Sequence, residues 1–145
     1  MTRHRWTSLL VATLATLLVL AALAYLRDPP WLVSVTSGMG KWETDRDGNR
    51  YRWTSGHASF FVSSSSEFVT FRLRAPKSDP RDWPITATIT IDDRPADVIK
   101  VNDEDWSVVR LRLPSRGGRK LRRIDVKLDR LRAENRGVQL QIDGS

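Results

Sequence analysis

The chain has no cysteine and only two histidines, His4 and His57. Without thiols there are no disulfide staples, no thiolate metal site and no cysteine nucleophile, so stability has to come from a packed core. His4 precedes a long apolar run, which leaves His57 as the one imidazole beyond it, and no G-x-S-x-G surrounds any serine. Nothing nominates a pair of carboxylates for glycoside hydrolysis. The acidic stretches Asp45-Arg46-Asp47-Gly48-Asn49 and Asn102-Asp103-Glu104-Asp105 lack the distal glutamate of an EF-hand loop. They read as hairpin turns, and neither a metal nor a cofactor is expected. A non-catalytic protein is the expectation.

Acidic residues are in deficit: 17 aspartates and glutamates stand against 24 lysines and arginines, a net +7 of which Arg3 and Arg5 account for two. A basic surface attracts phosphate or other anions, and location decides which. At 145 residues the chain has room for one core.

Location is set by the run from Leu9 to Leu26, which carries no charge. As a helix it rises about 27 Å, close to the hydrocarbon core of about 30 Å. Arg3 and Arg5 precede it, whereas Arg27 and Asp28 cancel behind it, so the N-terminus stays inside and the remainder is exported. Trp6 and Tyr25 suit the two interfaces. Ala22-Leu23-Ala24 also forms an A-x-A signal-peptidase pattern. The apolar run continues through it without a polar break, which favours a retained anchor. Either way the domain lies outside the cytoplasm, and nucleic acid is not an expected partner. The expected organisation is a cytoplasmic N-terminus over 1–8, a transmembrane helix over 9–26, a linker and first strand over 27–37, and an extracytoplasmic β domain over 38–145.

After Pro29 and Pro30, which end any helix, apolar residues recur every second position. Val69, Phe71, Leu73; Ile85, Ala87, Ile89, Ile91; Val109, Leu111, Leu113; Ile124, Val126, Leu128; and Val138, Leu140, Ile142 each alternate with polar residues. This predicts strands near 31–37, 50–54, 57–62, 67–74, 85–91, 96–101, 106–113, 122–129 and 137–143. Turn residues lie between them at Asp47-Gly48-Asn49, Ser63 to Ser66, Pro76 to Pro84, Asp92 to Pro95, Asn102 to Asp105 and Gly117-Gly118. Many short strands with one wet face make an all-β antiparallel sandwich.

Six tryptophans are many for this length. A pyranose stacks its apolar face on an aromatic ring while Arg, Glu or Gln bonds its hydroxyls, so Trp42-Glu43 and Arg52-Trp53 suit a sugar site. Trp42, Glu43 and Arg52, with Trp83 as a wall, are the candidate glycan ligands; Trp53 and Trp106 fall at strand positions and read as structural. Arg116, Arg119, Lys120, Arg122 and Arg123 cluster around Gly117-Gly118, a loop suited to anionic headgroups or a phosphorylated partner, although such a run is more often simply solvated.

The spaced pattern Gly40, Glu43, Arg52-Trp53-Thr54, Ala58, Trp106 before Val108 to Pro114, and Arg136-Gly137-Val138 resembles a bacterial carbohydrate-binding-module-like sandwich. The likeness spans roughly residues 38 to 143. Such domains occur at the extracytoplasmic end of membrane glycosyltransferases and in short anchored proteins. The resemblance implies a jelly-roll framework in which Arg52 and Arg136 pair with Glu43 or Glu134, and a single-pass protein of the bacterial inner membrane facing the periplasm. Asn135 before Arg136 and the basic loop depart from the pattern. The glycosyltransferase membrane domain is absent, so transfer activity is not implied. Two functions follow as expectations: a module binding glycan or lipid-linked saccharide at the cell envelope, or an accessory subunit docking a membrane glycosyltransferase or envelope protein with no sugar site of its own.

Overall fold

The N-terminal apolar run forms one helix, α1 (Arg3–Arg27), long and apolar enough to cross a membrane. Two hydroxyls in its middle are satisfied within the helix: those of Thr13 and Thr16 donate to the carbonyls of Leu9 and Ala12 at 2.9 Å. In an apolar surrounding, a hydroxyl without such a bond would carry a desolvation cost of about 2–7 kcal/mol. The computed structural model describes residues 3–76, 84–102, 104–115, 118–132 and 135–142.

Where a strand is predicted over 31–37, the chain forms a 3₁₀ turn, Pro30–Ser34. Proline at its start fixes φ, and the Leu32 amide donates to the Pro29 carbonyl at 3.0 Å. The strands then follow as β1 (Thr36–Thr44), β2 (Arg50–Ser63), β3 (Phe68–Arg74), β4 (Ile85–Ile91), β5 (Arg94–Val101), β6 (Ser107–Arg112), β7 (Leu121–Leu128) and β8 (Gln139–Ile142). Every pairing is antiparallel, in the order β5-β4-β7-β2-β8-β3-β6, with β1 also on β2.

The two predicted strands 50–54 and 57–62 are one long strand, and that strand makes the fold. The C-terminal half of β2 pairs with β7 from His57↔Lys127 to Ser63↔Leu121, and its N-terminal half pairs with β8 at Arg52↔Leu140 and Trp53↔Gln139. Strand β2 therefore belongs to both layers of an antiparallel sandwich, β5-β4-β7-β2 and β2-β8-β3-β6, a corner that a bend in the strand makes possible. The register against β1 slips beside the bend, between Ser37 and Met39, where Gly38 takes φ +65°. A β-carbon on Gly38 would lie 1.8 Å from the His57 carbonyl oxygen, so this bulge requires glycine.

At the crossing, Thr54 is stitched to Gly137 and Val138. The Thr54 amide donates to the Val138 carbonyl (2.9 Å), the Thr54 hydroxyl donates to the same carbonyl (3.0 Å) and accepts from the Val138 amide (3.0 Å), and the Gly137 amide donates to the Thr54 carbonyl (2.8 Å). Thr54 is buried, so each group would be costly to leave unpaired.

The alternating residues meet between the layers. Phe60 from one layer and Phe71 from the other pack edge to face, centroids 5.6 Å apart at 82°, with Ile89, Ile124, Val126 and Leu140 buried around them. Truncating either ring to alanine would cost about 3–5 kcal/mol. The β4–β5 hairpin turns through Asp92 and Asp93, both at positive φ (49° and 66°), as the two-residue turn matching strand twist demands.

The crossing gives a direct test. A β-carbon at 137 would lie 2.8 Å from the Thr54 carbonyl oxygen and 2.6 Å from Leu128 Cδ1. Gly137→Ala is expected to destabilise the chain by about 1–3 kcal/mol, measured by chemical unfolding followed through tryptophan fluorescence. A change within about 0.5 kcal/mol, the range of a neutral surface substitution, would contradict the tight crossing.

Candidate functional site

Strands β1 and β2 carry most of the residues singled out in the sequence, and pairing decides which of them meet. Trp42 opposes Arg52, and Glu43 opposes Tyr51. Directly opposed residues share a face and successive ones alternate, so Trp42 and Arg52 fall together while Glu43 points to the other side. Arg52 also opposes the buried Leu140, which places it on the inner face. Trp83 lies outside the described residues.

Arg52 ties down the β1 bulge. Its Nε donates to the Gly40 carbonyl (2.7 Å), Nη1 to the Thr36 hydroxyl (2.8 Å) and Nη2 to the Met39 carbonyl (3.3 Å). These partners correct the expected Arg52–Glu43 pair: the bulge brings backbone carbonyls closer to the guanidinium than any carboxylate. Burial pulls the Arg52 pKa below the ordinary arginine value, yet the group stays cationic at neutral pH. Of its five N–H donors, two remain for a ligand.

The Trp42 ring lies against two guanidiniums, Arg50 at 4.9 Å and Arg52 at 5.5 Å from its centroid, and is 40% exposed. Each such contact contributes about 0.5–1 kcal/mol at an exposed site, which fixes the ring's position. Beside it opens a trough of about 690 Å³ whose walls include Val33, Thr36, Phe60, Phe68 and Ile142. That is within the usual range of ligand pockets, about 300–1,000 Å³.

On the opposite face Glu43 accepts from the Tyr51 hydroxyl at 3.0 Å. Burial and then this carboxylate push the tyrosine pKa above its ordinary value. Tyr51 packs on Trp53 (6.2 Å, 86°) and Trp106 (6.4 Å, 57°), and Arg74 lies 4.3 Å over Trp106 while bonding Gln139 (2.9 Å) and Asp45 (3.3 Å). Arg136 stands 5.3 Å over Trp53; Glu134, its other expected partner, lies outside the described residues. The two-residue spacing of Tyr51 and Trp53 already put them on one face. The contribution of Trp106 and Arg74 needed the strand order.

The basic run is divided by the same alternation. Arg122 faces inward with Ile124 and bonds Asp92 (2.8 Å) and the Ser115 carbonyl (2.7 Å). Arg123 bonds Asp125 at 2.9 Å and also Asp93. The expected five-cation contact surface is thus corrected: Arg122 is buried against Asp92, Arg123 is half-buried on the outer face and paired with Asp93 and Asp125, Arg119 and Lys120 are exposed, and Arg116 lies outside the described residues.

Sequence reading left His57 isolated, but β pairing brings it to Asp125. That carboxylate accepts from Ser59 Oγ (2.6 Å) and Arg123 Nε (2.9 Å), with His57 Nε2 at 3.3 Å. A nucleophilic triad sets the imidazole between hydroxyl and carboxylate. Here hydroxyl and imidazole converge on one carboxylate, which anchors the face of β2 and β7 rather than activating Ser59.

No family model matches the sequence, and no curated protein matches it. Among solved structures the chain is similar to an exo-β-1,3-galactanase from Phanerochaete chrysosporium with β-1,3-galactotriose (TM-score 0.46, 13% identity, 73% of this chain and 26% of that one). It is also similar to a family 35 carbohydrate binding module from an environmental isolate (0.44, 11%, 74% and 88%). A third likeness is to the CBM51-2 structure, in complex with GlcNAc, from Clostridium perfringens ZmpB (0.38, 10%, 70% and 24%). The chain thus spans about a quarter of the length of the first and third.

Burial pushes the Asp125 pKa up, but the bonds from Ser59 and Arg123 outweigh it and hold the carboxyl below its ordinary value of 3.8. A depressed folded pKa gives stability that is present above the unfolded value and lost as pH falls through the folded one. Asp125→Asn is therefore expected to be less stable than the parent at about pH 5, with the gap narrowing as pH drops below about 4, read from urea midpoints. A gap independent of pH would contradict the network.

Proposed function

We propose that this chain is a non-catalytic module, tethered by α1 in the bacterial inner membrane with its N-terminus inside, whose exported sandwich binds a glycan, free or lipid-linked, in the trough beside Trp42 and Arg52. The observation that carries the reading is their convergence on one concave surface: a ring held by two guanidiniums, and an arginine with two unused donors, at a cavity of about 690 Å³. A saccharide needs both chemistries, an apolar wall for its C–H face and donors for its hydroxyl oxygens. Glu43, turned to the opposite face by Tyr51, is not part of the proposed contact set.

Orientation rests on Arg3 and Arg5 before the apolar run and the cancelling Arg27 and Asp28 after it. The glycan reading is tested on an array of envelope saccharides with the full chain in a detergent lacking a sugar headgroup. Trp42→Ala is expected to weaken binding about tenfold, or about 1.4 kcal/mol. Arg52→Lys keeps the charge without the planar fork and is expected to weaken it comparably. Circular dichroism confirms that each variant is folded. A silent array, or folded variants that bind like the parent, would overturn the reading in favour of an accessory subunit that docks a membrane glycosyltransferase or other envelope protein.

A further inference from the structure

A second cavity, of about 850 Å³, opens at the mouth of the sandwich and shares only Ser66 with the trough. Its floor is apolar and comes from both layers, with Ile91 on β4 and Leu111 on β6 both buried. Its rim carries Arg94, Arg112, Ser66 and Ser115, with one carboxylate, Glu67. Among the described residues the guanidinium of Arg94 and the hydroxyls of Ser66 and Ser115 have no side-chain partner. Arg112 pairs with Glu67 at 3.0 Å, but both side chains are largely exposed (77% and 61%), so solvent screens that pair and an incoming anion can displace it.

One of the two cations, Arg94, follows a turn that is held by a buried ion pair. Arg122, whose side chain is 9% exposed, donates to Asp92 (2.8 Å) and to the Ser115 carbonyl (2.7 Å). Asp92 in turn accepts from the Arg123 amide (3.0 Å) and donates its own amide to the Arg123 carbonyl (2.9 Å). One buried ion pair therefore fixes the hairpin turn that presents Arg94 and the wall residue Ser115. Arg122 Nε has no acceptor among the described residues.

We propose that this cavity is a binding site for a phosphate ester with an apolar substituent. A carboxylate offers two coplanar oxygens, a match for one guanidinium. Two arginines rooted on different strands, with seryl hydroxyls on the same rim, instead suit the tetrahedral oxygens of a phosphate. The apolar floor takes the ester substituent. The same chemistry is found in a lipid phosphate and in a soluble phosphate ester.

The test is calorimetric titration of the full chain in detergent micelles with hexyl phosphate, hexanoate and hexanol. Hexyl phosphate is expected to bind at least tenfold more tightly than either of the others. The Arg94→Gln/Arg112→Gln double variant is expected to lose at least tenfold, whereas Arg130→Gln, an exposed arginine away from the cavity, keeps the parent affinity. Phosphatidate added to the micelles distinguishes the sources: competition with hexyl phosphate supports the lipid form, and none supports the soluble ester. Hexanol or hexanoate binding as well as hexyl phosphate, unchanged binding by the double variant, or equal loss in Arg130→Gln would each overturn the site. None of these outcomes depends on Trp42 or Arg52, so the glycan trough stands or falls separately.

Discussion

The sandwich depends on a single strand being shared by both of its layers. Strand β2 gives one half to β7 and the other to β8, and four hydrogen bonds joining Thr54 to Gly137 and Val138 hold the point where it crosses. Their worth is asymmetric. Each bond contributes only about 0.5–1.5 kcal/mol net, but a buried donor or acceptor left without a partner costs about 1–3 kcal/mol. A chain that did not close this crossing would strand several such groups at once. Phe60 and Phe71, which meet across the layers, are brought together by the same closure.

The candidate site is a consequence of that crossing. The bend forces β1 to slip register at Gly38, the slip exposes the carbonyls of Met39 and Gly40, and Arg52 satisfies both. The same guanidinium then lies beside Trp42 at the trough. One arginine thus joins the strain of the fold to the proposed recognition surface, and for this reason a lysine there would not be conservative. Its role is different from the resemblance-based expectation of a salt bridge to Glu43, because the bulge supplies nearer acceptors.

Much of the core was legible in the sequence. The alternation Ile85-x-Ala87-x-Ile89-x-Ile91 gives β4 with its observed bounds, and the patterns in β3, β6 and β7 fall within a residue of the structure. Less was visible where tertiary geometry overrides period. Ser55 and Gly56 look like a break between two strands, because a bend and a turn share the same residues, yet β2 runs through them. Trp31 to Ser34 carries β-forming residues but is curled by Pro30. Within the site, two-residue spacing could separate Trp42 from Glu43. It could not show that Arg122 faces inward to Asp92, a residue thirty positions away that only the β4–β7 pairing brings close.

The most direct measure of the shared strand is native-state hydrogen exchange of the full chain in micelles, followed residue by residue by NMR. The amides of Thr54 and Val138 are expected to exchange with the same free energy as those of Phe60 and Ile124, in one global opening that releases both layers together. Exchange through β8 and β3 at a distinctly lower free energy, with β7 and β4 still protected, would contradict the claim that one strand holds the two layers as a unit.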